Sequence, residues 1–534
     1  MKGLRAVPAT GVRALCGCGR RIGRARRPAG LLAGAVALLV FALSGTAAAA
    51  TSTTPVPPPP VGTITIGSTV RGQAMPSGFV GLSLEYRALL SYLGTDPSAL
   101  NPVFLHLLRN LNPGQDPVLR IGGDSTDWTW WPVPKMRQPP GITYDITPVW
   151  LAVARALAEK TDAHYILGIN LEANSRAIET AESHALLTGI GRRYIDALEL
   201  GNEPELYSKL GWYRLGNSFI PGRPPSFDFT GFTNEFSQFR HVIAPVPTAG
   251  PSTGSYWWLT HLGAFLDDEP SLGVVTVHSY WLDKCLSHAS LPGYPTLVNL
   301  LNPHPPSRLV RNLAKFTALA HAHGVPLRID EMNSVTCGGE HGVSDVFASA
   351  LWAVNALFEA MSDGVDGVNI HTFPGTANQL FGFTDASNQW TASVRPEYYG
   401  LLMFSQAAPP GAKLLELSQS HTGQTRVWAT LDRHGITRVV LINDSLTQPS
   451  SVVVGIPTPG DSAQVERLTA PSATATGAIS LGGQSFGATT TTGALAGPIS
   501  TVVLSPTVGA AGTGDYAISL PAASAAMLTI APNH

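Results

Sequence analysis

Eight short apolar runs alternate with helix-patterned segments through the middle of the chain, and this alternation restricts the fold more than any other feature. The candidate strands are 79–85 (FVGLSLE), 117–122 (PVLRIG), 164–170 (HYILGIN), 195–200 (IDALEL), 246–250 (VPTAG), 273–279 (GVVTVHS), 326–331 (PLRIDE) and 366–371 (DGVNIH). Helical patterns such as 147–159 (TPVWLAVARALAE), 308–323 and 344–361 (SDVFASALWAVNALFEAM) lie between them. Buried parallel strands alternating with helices are the mark of βα units. Eight such units predict an α/β chain built on a (β/α)8 TIM barrel over 73–405. A doubly wound sheet is the alternative, but it wants a Gly-rich phosphate loop after the first strand, and GLSLEY is not one.

After about residue 410 the helical period stops. Short Val/Ile/Thr-rich runs, 424–430 (QTRVWAT), 436–442 (ITRVVLI) and 451–455 (SVVVG), are punctuated by Gly, Pro and Ser. They predict an antiparallel β-sandwich, made of 406–534 and completed by the strand-like stretch at 61–72.

The formal net charge of -2 combines two unlike pieces. Residues 1–50 hold Lys2 and seven arginines and no acid; the remaining 26 basic residues face 36 acidic ones. An acidic mature chain argues against nucleic acid as a partner, because phosphate binding needs surplus Lys and Arg. Arg20 to Arg27 precede an apolar run, Leu31 to Leu43, and small residues to Ala50. That order describes a secretory signal peptide over 1–50. The run is too short to span a bilayer, so no stable membrane insertion is expected after cleavage. The expectation is a secreted, extracellular protein, bacterial in type, with Sec and Tat export both open. A stiff Pro-rich linker, 51–60, follows.

Cys16 and Cys18 fall in the leader, leaving Cys285 and Cys337. Two cysteines in an exported chain suggest one disulfide, with two thiols as the other reading. They are too few for a structural zinc site, and no cofactor is expected.

Chemistry in a barrel sits at the carboxyl ends of the strands. That rule selects Glu203, in Gly201-Asn202-Glu203-Pro204 after the fourth strand, and Glu331, which closes the seventh in Asp330-Glu331-Met332-Asn333-Ser334. Two carboxyls facing each other across a barrel mouth suit glycoside hydrolysis. One protonates the leaving oxygen; the other attacks the anomeric carbon or activates water.

With these residues in view, the chain resembles glycoside hydrolase clan A, and within it family 79, the β-glucuronidase and heparanase group. The segments that carry the resemblance are 81–86 (GLSLEY), 119–127 (LRIGGDSTD), 198–207 (LELGNEPELY), 278–280 (HSY), 330–334 (DEMNS) and 396–404 (PEYYGLLMF). The resemblance implies a retaining β-glycosidase acting on a carbohydrate, with Glu203 as acid/base and Glu331 as nucleophile. It implies that Asn202 binds the sugar 2-hydroxyl, that Tyr280 orients Glu331 and that Arg120 keeps Glu331 ionised. Glu85 and Asp127 are candidates for sugar hydroxyls. His278 and His371 are candidate pocket residues. Asp330 is expected to point away from Glu331, as neighbours in a strand do. Trp128, Trp130 and Trp131 read equally as a stacking platform or as core.

Cys285 and Cys337 follow neighbouring strands and would tie two walls of the pocket. Uronate-cleaving members place Tyr-Gly five and six residues beyond the nucleophile; here those positions are Thr336 and Cys337. Thr336 keeps one hydroxyl donor for a sugar carboxylate. A β-glucuronidase is therefore expected, with a neutral-sugar β-glycosidase close behind and a non-catalytic sugar-binding protein as a further alternative.

Overall fold

The structure is a computed structural model and describes residues 62–387, 389–419, 423–457, 462–509 and 512–532. The expected signal peptide and linker lie outside the described residues.

The first strand, β1 (Gly62–Arg71), belongs to the C-terminal sheet. The next eight are β2 (Val80–Glu85), β3 (Val118–Gly122), β4 (His164–Ile169), β5 (Ile195–Leu200), β6 (Thr248–Thr253), β7 (Leu272–Leu282), β8 (Leu327–Val335) and β9 (Gly367–Thr372). They pair in parallel, in chain order, and β9 closes back on β2. Covered by helices outside and filled by side chains inside, these strands lose their polar alternation: every residue of β2, β6, β8 and β9 is buried. Local chemistry starts the helices between them. Asn101 accepts from the backbone N–H groups of Val103 and Phe104, Thr147 accepts from Trp150, and a proline follows each cap.

One irregularity matters for the chemistry. Along β8, Ile329 pairs with Val277 and Glu331 with His278, so Asp330 is left without a partner on that side. On the other side the register jumps from Ile329 to Met332. Asp330 is thus the extra residue of a bulge, which breaks the two-residue alternation of side chains.

The C-terminal strands are β10 (Lys413–Gln419), β11 (Thr425–Leu431), β12 (Thr437–Asn443), β13 (Ser450–Ile456), β14 (Ala463–Thr469), β15 (Gly514–Leu520) and β16 (Ser524–Ile530). Their order across the sheet is β14-β16-β12-β11-β10-β1-β13-β15. The pairing is antiparallel except that β1 runs parallel to β13, a departure from the all-antiparallel expectation. Val452, Val454 and Ile518 from one end share an apolar cluster with Val465 and Leu528 from the other. The sheet therefore folds over on itself as a two-layered sandwich. It docks on the barrel through the helix Phe347–Ser362, which is buried around most of its circumference. There Trp428 stacks on Phe358 and donates its Nε1–H to Asn355 Oδ1 at 3.0 Å.

Candidate active site

The barrel mouth is organised around Arg120, the third residue of β3, which has no exposed surface. A guanidinium carries five donors in a rigid fork, and this one faces several acceptors. Nη1 reaches Glu331 Oε2 at 2.6 Å, Nη2 reaches Asn202 Oδ1 at 2.7 Å, and Nε reaches Glu199 Oε2 at 2.9 Å. Asp330 Oδ2 lies 3.4 Å from Nε. Asp330 therefore faces the barrel interior beside Glu331, against the strand-alternation expectation, and the bulge is the reason. No N–H or O–H donor reaches either of its oxygens among the described residues. Burial pushes the Asp330 carboxyl well up, with the charge of Glu199 adding to it. Burial pushes Glu199 up as well, but Arg120 outweighs it and holds Glu199 below its ordinary value. The two neighbouring carboxyls are thus shifted in opposite directions, Asp330 up by burial and Glu199 down by Arg120.

Glu331 receives Tyr280 Oη–H on Oε1 at 2.7 Å and Arg120 on Oε2. His371 Nδ1 lies 3.8 Å from the same Oε2. Burial works against its charge, but the positive fields of His371, His278 and Arg120 and the Tyr280 bond win, holding Glu331 well below the usual carboxylate range.

Glu203 sits at the end of β5 in the left-handed backbone region, φ 45°, just before Pro204. A non-glycine residue held there is strained by about 1–3 kcal/mol, a feature concentrated at functional sites. Its N–H donates to Ser252 O at 2.9 Å, which fixes the turn. Its side chain is 23% exposed, against 10% for Glu331. Oε1 meets His278 Nδ1 at 3.0 Å, and His278 Nε2 meets Ser252 Oγ at 3.1 Å. Burial lowers the His278 pKa, but the charges of Glu331 and Asp330 and the bond to Glu203 overcome it, and the value is pushed up to about 10. His278 therefore keeps its proton and donates its Nδ1–H to Glu203. Sequence reasoning placed His278 only as a pocket residue. The available signal was its spacing: two residues from Tyr280 on one strand, it must share Tyr280's inward face.

Asn202 is nearly buried; its oxygen is taken by Arg120, leaving its Nδ2 hydrogens to offer. Glu85 accepts the Ser125 N–H at 2.8 Å and lies 3.8 Å from His371. It packs so closely on Gly123, at φ +69°, that a Cβ there would stand 2.5 Å from Glu85 Oε1.

Two of the nominated sugar contacts already have hydrogen-bond partners within the protein. Asp127 is 3% exposed, and four donors occupy its carboxylate: the backbone N–H groups of Leu171, Glu172 and Asn202, and Tyr207 Oη. It positions the Asn202 backbone and keeps no acceptor for a sugar hydroxyl. Thr336 donates its hydroxyl to Asp283 Oδ1 at 3.0 Å and accepts from Lys284 N at 3.1 Å, so it has no donor left for a carboxylate. The loops after β7 and β8 bring the sulfurs of Cys285 and Cys337, the pair nominated for a disulfide, to 3.7 Å, where a formed bond measures about 2.05 Å. Trp130 is core, with Nε1 on Asp145, while Trp128 stands half-buried at the mouth. His321 and His323 pair with Asp366 and Asp267 on the surface.

A cavity of about 740 Å³ lies elsewhere, between barrel and sandwich, lined by residues including Arg426, Glu359 and Asp444. None of its lining residues belongs to the network around Arg120.

Residues 427–527 match the glycosyl hydrolase family 79 C-terminal beta domain. Two curated relatives named beta-glucuronidase, from Neurospora crassa and Aspergillus niger, are 22% and 23% identical over 442 and 399 residues. Those alignments cover 71% and 68% of this chain and 74% and 71% of the relatives. Among solved structures, a 4-O-alpha-L-rhamnosyl-beta-D-glucuronidase from Fusarium oxysporum 12S matches with a TM-score of 0.66 at 20% identity, covering 87% of this chain and 100% of that one. An alpha-L-arabinofuranosidase from Thermotoga maritima matches with a TM-score of 0.58 at 13% identity, covering 88% and 99%. At such identities the solved structures establish the barrel-plus-sheet fold alone.

Proposed function

We infer that this chain, a glycoside hydrolase related to family 79, removes a terminal β-linked glucuronic acid with retention of configuration. Glu331 attacks the anomeric carbon while Glu203 gives its proton to the departing glycosidic oxygen. The bond that forms joins Glu331 to the sugar; the bond that breaks releases the aglycone as an alcohol. Glu203, now ionised, takes a proton from water, whose oxygen displaces Glu331 and returns a β-configured sugar. Asn202 offers its amide hydrogens to the 2-hydroxyl, a bond that strengthens as charge develops at the ring.

The observation that carries this reading is the unequal setting of the two carboxyls. Glu331 is nearly buried, bonded by Tyr280 and Arg120, and held ionised. Glu203 is more open and accepts a hydrogen bond from His278. A nearly buried, ionised nucleophile opposite a more open carboxyl that is paired with a proton-bearing imidazole suits the division of labour that double displacement needs. The glucuronate assignment draws on the names of the relatives, and a neutral-sugar β-glycosidase is the second reading, favoured by the occupied hydroxyl of Thr336. We also place the barrel at 73–405 and the sandwich at 61–72 plus 406–534, and we read 1–50 as an export signal.

The test is hydrolysis of aryl β-glucuronide, 4-O-methylglucuronide, glucoside, galactoside and xyloside, with proton NMR of the first product. The glucuronide should be preferred and its β-anomer released first. Glu331→Gln should bind an aryl glycoside without turning it over. First release of the α-anomer refutes Glu331 as nucleophile, and no hydrolysis of any aryl glycoside refutes the enzyme reading.

A further inference from the structure

The geometry points to Arg87 as the residue that recognises the substrate's carboxylate. This rests on the glucuronidase reading above and names a contact that reading lacked once Thr336 proved to be engaged elsewhere. Arg87 lies two residues past the end of β2, in the short turn Tyr86–Ala88 on the catalytic face. Its guanidinium lies over the ring of Trp128, in the loop that follows β3, at 5.3 Å and over that of Phe373, just after β9, at 4.8 Å. The three therefore come from adjacent strands of the barrel mouth.

Held against two aromatic rings, the guanidinium is fixed in place, but rings do not use its N–H donors. Among the described residues no hydrogen bond or ion pair reaches it, and its Nε is buried without a partner. Such a group is costly unless something arrives to satisfy it.

Arg87 also acts within the cleft. Asp124, beside these carboxyls, is pushed up by desolvation and by Glu85, Glu203 and Glu331, and is pulled down by Arg87. Other cations on this face are engaged: Arg120 by Glu199, Asp330 and Glu331, and Lys284 by Glu340 at 3.1 Å and Gly339 O at 2.8 Å. An anionic sugar entering an acidic protein needs a local donor. A planar fork with unused N–H groups suits a carboxylate, which it binds through two parallel bonds.

The experiment compares kcat/KM for aryl β-glucuronide, its methyl ester and aryl β-glucoside in wild type, Arg87→Met and Arg87→Lys. Unfolding midpoints of the three proteins are measured alongside. Charged hydrogen bonds of this kind predict that the glucuronide-to-glucoside ratio falls roughly 10- to 100-fold in R87M, mostly through KM. R87K should keep part of the preference, and the acid-to-ester discrimination of wild type should vanish in R87M. Equal losses on all three substrates, or an unchanged ratio, overturn the inference and leave Arg87 a packing residue. The two readings fail separately: a wild type that prefers the neutral glycosides overturns the glucuronate assignment itself, whereas a wild-type preference that survives R87M overturns only Arg87.

Discussion

Replacing Arg120 by methionine removes the charge while keeping most of the volume, and the structure sets the size of the effect. The guanidinium is fully buried and touches Glu331, Glu199 and Asn202 within 3 Å. At about 4 Å between charge centres and an effective dielectric near 20, one such pair is worth about 4 kcal/mol. On Glu331 alone that corresponds to roughly three pKa units. The stability loss is smaller than two full pairs, because the stranded carboxyls respond by taking up protons. Breaking a buried pair this way costs about 3–5 kcal/mol. Glu331 is depressed in the fold, so its stabilising contribution is present above the unfolded carboxylate pKa of ~4.3 and is lost only as the pH falls through the lower folded value. The gap between wild type and R120M should therefore be widest above about pH 5 and close toward low pH. Urea unfolding at a series of pH values measures it. The acid limb of kcat/KM, which reports Glu331 ionisation, should rise by about two to three pH units. If R120M does not fold, Arg120→Lys retains the charge and loses the fork. Its acid limb should stay within about one unit of wild type while kcat falls, because Asn202 loses its anchor. An acid limb that does not move in R120M, or a stability gap that widens at low pH, refutes the claim that Arg120 keeps the nucleophile ionised.

Other expectations are as direct. His278 holds its proton up to about pH 10, so a titration near that pH seen in the wild-type kcat/KM profile should be absent from His278→Asn; a profile unchanged there contradicts the assignment to His278. Glu179 is buried, with neither oxygen hydrogen-bonded among the described residues, and desolvation, with the charge of Glu182, pushes its pKa up to about 10. A raised carboxyl favours the fold below its unfolded pKa and withdraws about 1.4 kcal/mol per pH unit above it until the folded value is passed. Glu179→Gln should accordingly stabilise the protein by about 3 kcal/mol at pH 7 and flatten the loss on the alkaline side, as thermal unfolding against pH would show. Gly123→Ala places a side chain at φ +69° and against Glu85. It should cost at least about 1–2 kcal/mol in denaturant unfolding and raise KM; an unchanged KM would separate Glu85 from the sugar site.

Much of this protein was legible in the linear chain because the information is local. Strand and helix periods identify eight βα units, and the Asn-Glu-Pro turn and the Asp-Glu pair stand at strand ends whatever the distant packing. The β-rich tail and the acidic balance of the chain are likewise properties of composition and short-range pattern. What the chain order could not settle is which atoms meet across the barrel. A single bulge on β8 turns Asp330 inward beside Glu331, where alternation alone points it away. Asp127 and Thr336 are chemically fit to bind a sugar, but partners from other strands and loops fill their hydrogen-bonding capacity first. His278 acquires its bond to Glu203 only when β7 delivers it to the turn after β5. Arg87 stands out only because, of the cations at the mouth, the fold leaves its donors unclaimed. Residue type and position are written in the sequence, whereas the satisfaction of a hydrogen-bonding group depends on contacts between segments 40 to more than 200 residues apart, and only the closed barrel brings those together.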